Sequence, residues 1–226
     1  EENDYVRATR GTSTVTHLNN LSILDHNLLA VHCVWMTDEE IEMFAEHDVK
    51  VSHNPAAAMK VLGFAKIPEM IEAGICVTIG TDGAPANNRM TLIDEMWLTS
   101  LIHKGRLRDS KIMPAETVLA MATCEGARAV GWDEEIGSLQ VGKKADLIVI
   151  NPNTATMLPM HDGVANMVYA LRQHNVESVM VNGKWVMKEQ KILTVNEEEI
   201  LEEAKKRASV ILDRTGIQLP NRFNVR

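Results

Sequence analysis

Residues 75–88 read ICVTIGTDGAPANN, an apolar run that stops at a glycine and gives way to small and amide residues. The run from Ile75 to Ile79 is nearly continuous in its apolar character, which is typical of a strand buried on both faces of a parallel sheet. Asp82 is the carboxylate of the loop that follows, and the glycines and proline around it are residues that turn a chain. We therefore expect a strand whose loop either only turns the chain or also carries chemistry at Asp82.

The same order of strand and helix occurs twice upstream. LLAVHCVW (28–35) precedes Thr37 and Glu40, which form a capping box at the start of a helix. VKVSH (49–53) leads through a loop to a helix predicted over FAKIPEMIEAG (64–74), with a glycine at its end.

A third helix is predicted after the opening stretch. TLIDEMWLTSLIHKG (91–105) has an apolar face formed by Leu92, Met96, Leu98 and Ile102. Buried strands that alternate with amphipathic helices predict parallel strands covered by helices. The predicted fold class is therefore α/β, and either an α/β barrel or a doubly wound sheet fits it.

The pattern changes after Lys111. IGSLQVGKKADLIVINP is rich in turn residues and ends in a predicted strand. Asn182-Gly183 then stands between two β-rich runs, which is a strong signal for a hairpin. Residues 196–213 predict a charged amphipathic helix, interpreted as a surface helix. This part of the chain therefore predicts a small β appendage and a closing helix.

The composition excludes several classes of protein. The 226 residues carry a formal charge of −8 with a pI near 5.5, whereas a nucleic-acid-binding surface needs concentrated Lys and Arg. No run approaches the roughly 18 apolar residues of a membrane helix, and the first residues do not resemble a signal peptide. We therefore expect a cytoplasmic protein with a small-molecule partner. Three cysteines without C-x-x-C spacing are interpreted as buried thiols: Cys33, Cys76 and Cys124.

Three polar residues lie at or just past the ends of the predicted strands: His32, His53 and Asp82. The carboxyl ends of parallel strands meet at one edge, where α/β proteins build their sites. Imidazole and carboxylate groups ligate divalent metals, and a metal lowers the pKa of its bound water from about 15.7 to about 7. The set predicts metal-assisted hydrolysis, in which Asp82 binds the metal and carries the proton of the water.

Other residues near this edge have two interpretations, a structural one and a functional one. Asn54 directly follows the second predicted strand, and Asn87 and Asn88 follow the third, so each serves a turn or a site. Trp35 either forms a pocket wall for a flat ring or packs in the core. Five further histidines are predicted to face solvent: His17, His26, His47, His103 and His174.

Four motifs in this order resemble the amidohydrolase superfamily, and most closely the branch of S-adenosylhomocysteine and 5-methylthioadenosine deaminases and triazine chlorohydrolases. The motifs are AVHCVWMTDEEI, VSHNPAAAMK, VTIGTDGAPANNRMTLIDEM and IGSLQVGKKADLIVIN. The resemblance implies the C-terminal portion of a (β/α)8 TIM barrel plus part of a small β-sandwich. It also implies one divalent metal ion, zinc or iron, at the mouth of the barrel. The implied parts are 1–140 for the barrel, 141–195 for β-sandwich strands and the return to the barrel, and 196–226 for a helix and tail.

The resemblance also implies roles for individual residues. His32 matches the histidine that orients the attacking water or substrate, and Asp82 matches the carboxylate that binds the metal and transfers the proton. His53, Asn54 and Trp35 are expected in the substrate pocket. The implied activity is that of a hydrolase, of deaminase or chlorohydrolase type, in which metal-activated water attacks a ring carbon of a nitrogen heterocycle.

Two motifs that the family carries ahead of these are not found upstream of AVHCVW: an H-x-H and an H-x-x-E, which supply further metal histidines and a general acid. The sequence is therefore expected to be a C-terminal half that is inactive without an N-terminal half of the barrel. One half of a split enzyme and a non-catalytic α/β binding or assembly module are the alternatives. A homo-oligomer is also compatible with the resemblance, since such barrels often pair.

Overall fold

Two sheets of opposite type organise the structure, a computed structural model that describes residues 2–218. Within that range, a three-stranded sheet comes from the first part of the chain and a four-stranded sheet from the later part. Residue 1 and residues 219–226, the end of the predicted tail, lie outside the described residues.

The first sheet has three parallel strands in the order of the sequence: β1 (Leu29–Val31), β2 (Lys50–His53) and β3 (Val77–Ile79). Val51 is fully buried at its centre and pairs with Val77, which is 2% exposed. β2 and β3 are buried along almost their full length, although β2 reads KVSH and carries three polar residues. The prediction of parallel strands is confirmed, and their burial is confirmed for β2 and β3, whereas β1 contains no buried residue.

Helices follow each of these strands. The predicted capping box is present, since the Thr37 hydroxyl accepts the Glu40 N–H and the Glu40 carboxylate accepts the Thr37 N–H. In chain order the helices are α1 (Glu2–Arg10), α2 (Thr14–Asn20), α3 (Asp38–Glu46), α4 (Pro55–Val61), α5 (Ile67–Glu72), α6 (Ala84–Asn87), α7 (Leu92–Leu107), α8 (Ala115–Met121), α9 (Cys124–Ala129), α10 (Gly163–Tyr169) and α11 (Glu197–Thr215).

Two short helices occupy segments that the sequence predicts as loops. α4 begins at Pro55, directly after β2, and α6 has Pro85 in its first turn. Proline suits the start of a helix because its fixed φ is already helical and its missing N–H has no partner to lose there. The turn-forming residues of both segments therefore start helices rather than extended loops.

The main core lies between the parallel sheet and the helices that follow its strands. Large apolar side chains from the strands, α5 and α8 are the most completely buried, and each contributes about 1.5–3 kcal/mol relative to exposure. The members that are at most 1% exposed include Val49, Val51, Ile67, Met70, Val118 and Met121.

The buried face of α7 is partly polar, where the sequence predicts an apolar face. Glu95, Thr99 and His103 follow one another at four-residue spacing and are each at most 1% exposed. Leu92, from the predicted apolar face, is 41% exposed, and of that face only Met96 is buried. The predicted orientation of α7 is therefore wrong, and a polar stripe turns toward the interior.

The second sheet is antiparallel and contains the predicted hairpin. Asn182 and Gly183 join its two longest strands with φ angles of 48° and 75°, which only residues that tolerate left-handed backbone adopt easily. In sheet order the strands are β4 (Leu147–Ile150), β5 (Val176–Val181), β6 (Lys184–Lys188) and β7 (Lys191–Ile192). The hairpin is confirmed, whereas the part boundaries near 140 and 195 stay predictions.

The last helix of the described range, α11, buries none of its residues. Asn196 caps its start by accepting the Glu199 N–H, and three glutamates in its first turn complement the positive end of the helix dipole. The surface helix predicted here is confirmed. Among residues 2–218, no helix combines the length and the apolar character needed to cross a membrane.

The three cysteines are free thiols in different surroundings. Cys76 is buried, and Cys33 is half-buried, where burial raises the pKa of its thiol to about 12. Cys124 is exposed at the first position of α9, so the prediction that it is buried is wrong.

Candidate active site at the carboxyl edge of the parallel sheet

The carboxyl ends of β1 and β3 bring two of the predicted site residues together. His32 directly follows β1, and its N–H donates to the Ser52 carbonyl oxygen of β2 at 3.0 Å. Asp82 lies three residues beyond β3, and its Oδ2 is 3.5 Å from the Nε2 of His32. Both side chains are 30% exposed, so they are open to a ligand at the edge of the sheet.

Both residues have left-handed backbone conformations, which are uncommon for side chains other than glycine. The φ angles are 69° for His32, 48° for Cys33 and 63° for Asp82. Such conformations cost on the order of 1–3 kcal/mol each and persist where the surroundings enforce them. At these two strand ends the chain turns sharply, so that the side chains of His32 and Asp82 come together.

Asn54 links the end of β2 to the backbone of Asp82. In the amide orientation that gives each of its atoms a partner, its oxygen accepts the Asp82 N–H at 2.9 Å. Its nitrogen donates to the Ser52 carbonyl oxygen at 3.0 Å. Asn54 is 4% exposed, so its place in this structure is to hold the Asp82 loop against β2.

His53 turns into the interior. It is 3% exposed, and its Nε2 lies 3.4 Å from the Nε2 of His103 on α7, with the ring centroids 5.3 Å apart. Burial, reinforced by His103 and His32, lowers the pKa of His53 to about 3. Burial and the nearby Arg106 lower the pKa of His103 to about 4, although Glu69 opposes that shift. Both imidazoles are therefore neutral at pH 7, and one Nε2 donates to the other.

The remaining predicted pocket residue, Trp35, lies beyond the end of β1. Its side chain is 66% exposed, so it is not a core tryptophan. The structure therefore brings His32 and Asp82 into direct proximity, places Asn54 behind Asp82, and directs the Nε2 of His53 away from the pair toward α7.

The histidines predicted to face solvent divide into three groups. His26 and His174 are exposed, as predicted. His17 and His47 are half-buried, and the Nδ1 of His47 bonds the Met43 carbonyl oxygen at 2.8 Å. For His103 the prediction is wrong, since it is fully buried against His53. Its spacing of four and eight residues from Thr99 and Glu95 is the sequence signal that could have indicated a shared buried face.

Two further buried polar residues surround the Asp82 loop. Glu95 of α7 is 1% exposed, and Asn87 at the end of α6 is 4% exposed. The Asn87 amide nitrogen donates to the Glu95 carboxylate at 2.7 Å and to the Thr81 carbonyl oxygen at 2.8 Å. The sequence predicts Asn87 as a turn or site residue, whereas Glu95 is not among the residues it predicts for the site.

The donor chemistry of the site fits part of a divalent metal site. Imidazole nitrogen and carboxylate oxygen are ligands that zinc accepts, and the Nδ1 of His32 is a buried nitrogen without a hydrogen-bond partner in the structure. Within residues 2–218, however, no group of three such donors converges. Asp82 and His32 are therefore two neighbouring donors of the types that zinc accepts, and a complete zinc site needs more.

The fold and these donors together define a class: an α/β protein with hydrolase-type groups at the carboxyl edge of parallel strands. Residues 1–186 match the amidohydrolase family, and the chain belongs to that family.

Curated relatives of the chain include two deaminases. The 5-methylthioadenosine/S-adenosylhomocysteine deaminase of Moorella thermoacetica is 42% identical over 207 residues, which cover 91% of this chain and 48% of that protein. The 5'-deoxyadenosine deaminase of Methanobrevibacter smithii is 41% identical, over 84% of this chain and 44% of that protein. The chain thus spans about half the length of the curated relatives it matches.

Solved structures also match this chain over about half of their own length. A zinc-bound adenosine deaminase from Xanthomonas campestris aligns with a TM-score of 0.90 at 29% identity, over 93% of this chain and 48% of that one. Atrazine chlorohydrolase from Arthrobacter aurescens aligns with a TM-score of 0.85 at 24% identity, over 90% and 46%, a likeness of fold alone. The fold is therefore the C-terminal portion of the amidohydrolase TIM barrel, and residues 2–218 alone form no closed barrel.

Proposed function

We propose that the chain carries part of the active site of a metal-dependent hydrolase that replaces an amino or equivalent group on a nitrogen heterocycle. The observation that carries the proposal is the 3.5 Å approach of the His32 Nε2 to the Asp82 Oδ2 at the carboxyl edge of the parallel sheet. Family membership supports the same class of reaction, because relatives of known name are deaminases.

Asp82 has the geometry for two consecutive tasks. Its Oδ1 accepts the N–H of Gly83, which leaves Oδ2 free to face His32 and the open side of the edge. When bound, a divalent metal acidifies its water from a pKa of about 15.7 to about 7. Asp82 would hold the metal, take the proton from the attacking water, and deliver it to the leaving nitrogen as the new carbon–oxygen bond replaces the carbon–nitrogen bond.

His32 would orient the water or the substrate against Asp82. Its left-handed backbone and its N–H bond to Ser52 fix where the imidazole leaves the strand, so that Nε2 reaches the Asp82 carboxylate. An imidazole in this position donates or accepts one hydrogen bond, which suits it to align a polar atom for attack.

The pocket would draw on the residues around this pair. The exposed ring of Trp35 offers a face for a flat heterocycle. His53 and Asn54 would support the pocket from behind, since both are almost fully buried at the end of β2. The named relatives favour an aminated purine nucleoside as the first substrate class to test. Triazines are the second, because the sequence motifs also resemble those of triazine chlorohydrolases.

The complete site would use residues outside this sequence. A catalytic zinc usually takes three protein ligands besides water, and Asp82 provides one. The chain also spans about half the length of its relatives, which supports a barrel completed by a further segment. We propose zinc as the metal, with iron as the alternative, and we expect the isolated chain to be inactive.

Replacement of Asp82→Ala in the full-length protein tests the proposal. We expect loss of turnover on aminated purine nucleosides and loss of most of the bound metal, measured by elemental analysis of the purified protein. Asp109→Ala is the matched control, because Asp109 is an exposed loop carboxylate whose Oδ1 accepts the Lys111 N–H at 2.8 Å.

The same measurement judges the non-catalytic alternative. Within residues 2–218 no three metal donors converge, which is the observation in favour of a binding or assembly module. Close to one zinc or iron per full-length chain would exclude that module, whereas a metal-free protein, or activity retained after Asp82→Ala, would contradict the proposed hydrolase.

A further inference from the structure

The carboxylate of Glu95 joins two loops that leave the sheet at the candidate site. Its Oε2 accepts the Ala56 N–H at 3.0 Å, just after β2, and its Oε1 accepts the Asn87 amide at 2.7 Å, beyond β3. Glu95 itself belongs to α7, so one helix connects to both loops.

Asn87 extends this connection to the residue before Asp82. Its amide nitrogen also donates to the Thr81 carbonyl oxygen at 2.8 Å, while its Oδ1 accepts the N–H groups of Arg89 and Met90, both at 2.9 Å. The Asn87 side chain is 4% exposed and takes part in four hydrogen bonds. These bonds fix the backbone before α6 and the backbone after it.

The buried carboxylate is held by neutral donors. Burial raises the pKa of Glu95, and the bonds from the Ala56 N–H and from Asn87 oppose that rise. Both oxygens act as acceptors, so an uncharged amide at this position would direct its NH2 group against a donor. A buried acid is costly to keep without a cation, and within residues 2–218 Glu95 forms no ion pair.

A second link fixes the other side of the same loop. Asn54, two residues before Ala56, accepts the N–H of Asp82 at 2.9 Å. Hydrogen bonds therefore connect the loop between β3 and α7 to the segment after β2 at two points. One is the bond of Asp82 to Asn54, and the other reaches Thr81 through Glu95 and Asn87.

We propose that Glu95 and Asn87 are positioning residues that set the Asp82 carboxylate for metal binding and proton transfer. Neither residue touches the reacting atoms, and both act through the backbone on which Asp82 stands. The proposal rests on the proposed function, because it assigns to this Glu95–Asn87 bridge the geometry that Asp82 needs as a ligand.

Three variants of the full-length protein test the bridge. Glu95→Gln places an NH2 group where an acceptor is needed, and Asn87→Asp removes the donor and sets two carboxylates against each other. The double variant Glu95→Gln/Asn87→Asp restores the bond with donor and acceptor exchanged, although it still lacks the bond to Thr81.

Ser100→Ala is the matched control on the same helix. Ser100 is fully buried, and its hydroxyl donates to the Met113 carbonyl oxygen at 3.1 Å and lies 2.7 Å from the Tyr169 hydroxyl. Its bonds lead toward α8 and α10 rather than to the loops of the site. Its loss therefore reports the general cost of breaking a buried bond on α7.

The readouts are zinc affinity, measured by competition with a chelator, kcat and KM, and the melting temperature. We expect each single variant to lose about 10–100-fold in zinc affinity and in kcat with little change in KM. The double variant should recover part of both, because the bond between the two side chains returns while the bond to Thr81 does not, and Ser100→Ala should lower only the melting temperature. Single variants that melt lower but keep zinc affinity and kcat would overturn the proposal.

Amide hydrogen exchange of the metal-free protein keeps the two proposals separate. We expect Glu95→Gln to speed exchange at residues 80–83 without changing exchange in β5. If Asp82→Ala leaves zinc and activity intact, the proposed function fails, and the exchange rates still decide whether the Glu95–Asn87 bridge orders the loop.

If Asp82→Ala removes both zinc and activity while Glu95→Gln alters neither exchange nor zinc affinity, only the proposal that Glu95 and Asn87 position Asp82 is wrong. Should Glu95→Gln not fold, Asn87→Asp provides the same comparison.

Discussion

In the parallel sheet, β2 and β3 are buried along almost their full length, whereas β4 and β6 of the antiparallel sheet contain no buried residue. Buried polar groups occur in both regions, at Asn175 and Ser178 by the antiparallel sheet and in larger number at the end of the parallel sheet. His53 and Asn54 are buried where β2 ends, and Glu95 and His103 are buried on the helix behind them. Every one of these groups has a hydrogen-bond partner from a distant part of the chain.

The antiparallel sheet instead leaves apolar side chains in solvent. Ile148 is 47% exposed, Val181 50% and Trp185 37%. Stability and chemistry therefore coincide in the parallel region, whereas the antiparallel hairpin is separate from the chemistry. A substitution in the parallel region should change both stability and the site, whereas one in the antiparallel hairpin should change stability alone.

The largest expected effect is a loss of stability in acid that comes from the parallel region. The pKa of His53 is lowered to about 3 and that of His103 to about 4, from an ordinary value of 6.5. The unfolded chain takes up protons below pH 6.5 that the folded chain cannot. The contribution of these two histidines to the free energy of unfolding should therefore be constant above that pH and fall by up to about 1.4 kcal/mol per pH unit for each histidine as the pH drops toward 4.

Urea unfolding of the full-length protein at a series of pH values measures this slope. His103→Gln removes one of the two titrating groups and should make the slope shallower. His174→Gln, at an exposed histidine, should leave it unchanged. Equal slopes for wild type and His103→Gln would show that the buried pair does not control acid stability.

The next effect comes from the close approach of Gly80 to the end of β2. A Cβ at this position would lie 2.7 Å from the terminal amide of Asn54 and 3.0 Å from the Ser52 hydroxyl. Gly80→Ala should cost about 1–3 kcal/mol through overpacking. Because Asn54 must move, the Asp82 N–H loses its acceptor, so zinc affinity and kcat should fall as well.

Gly105→Ala is the control for this variant, since nothing lies within 4 Å of a Cβ added there in α7. It should stabilise the protein by about 0.5–1 kcal/mol, because alanine is favoured over glycine in a helix. Thermal unfolding and steady-state kinetics on both variants make the comparison. Unchanged zinc affinity in Gly80→Ala would show that the hydrogen bond from Asp82 to Asn54 does not control the position of the Asp82 carboxylate.

The features that the sequence predicts correctly are those controlled by near neighbours. Thr37 and Glu40 are three residues apart and form the capping box as expected. Gly74 follows α5 with a φ of 87°, and Asn182 with Gly183 forms the hairpin turn. In each case the conformation depends on residues that are adjacent or one helical turn apart, so the local pattern contains the needed information.

The features that the sequence does not predict depend on distant partners. Glu95 is buried because the Ala56 N–H, 39 residues away, and Asn87 satisfy its carboxylate. His103 is buried against His53, a partner that lies 50 residues away in the sequence. Hydrophobic periodicity ranks such residues as solvent-facing, since it assumes that polar groups remain in water. The proximity of His32 and Asp82 was predicted because parallel strands place their carboxyl ends at one edge.

The smallest expected effect tests the antiparallel side of the comparison. Gly183 has a φ of 75°, and nothing lies within 4 Å of a Cβ added there, so Gly183→Val changes only the backbone energy of the turn. The cost should be about 1–2 kcal/mol, because a β-branched residue is disfavoured in the left-handed region. Urea unfolding should show this loss while zinc affinity and kcat stay at their wild-type values. If Gly183→Val lowered kcat as much as Gly80→Ala does, the hairpin would be coupled to the site, and the antiparallel region would not be separate from the chemistry.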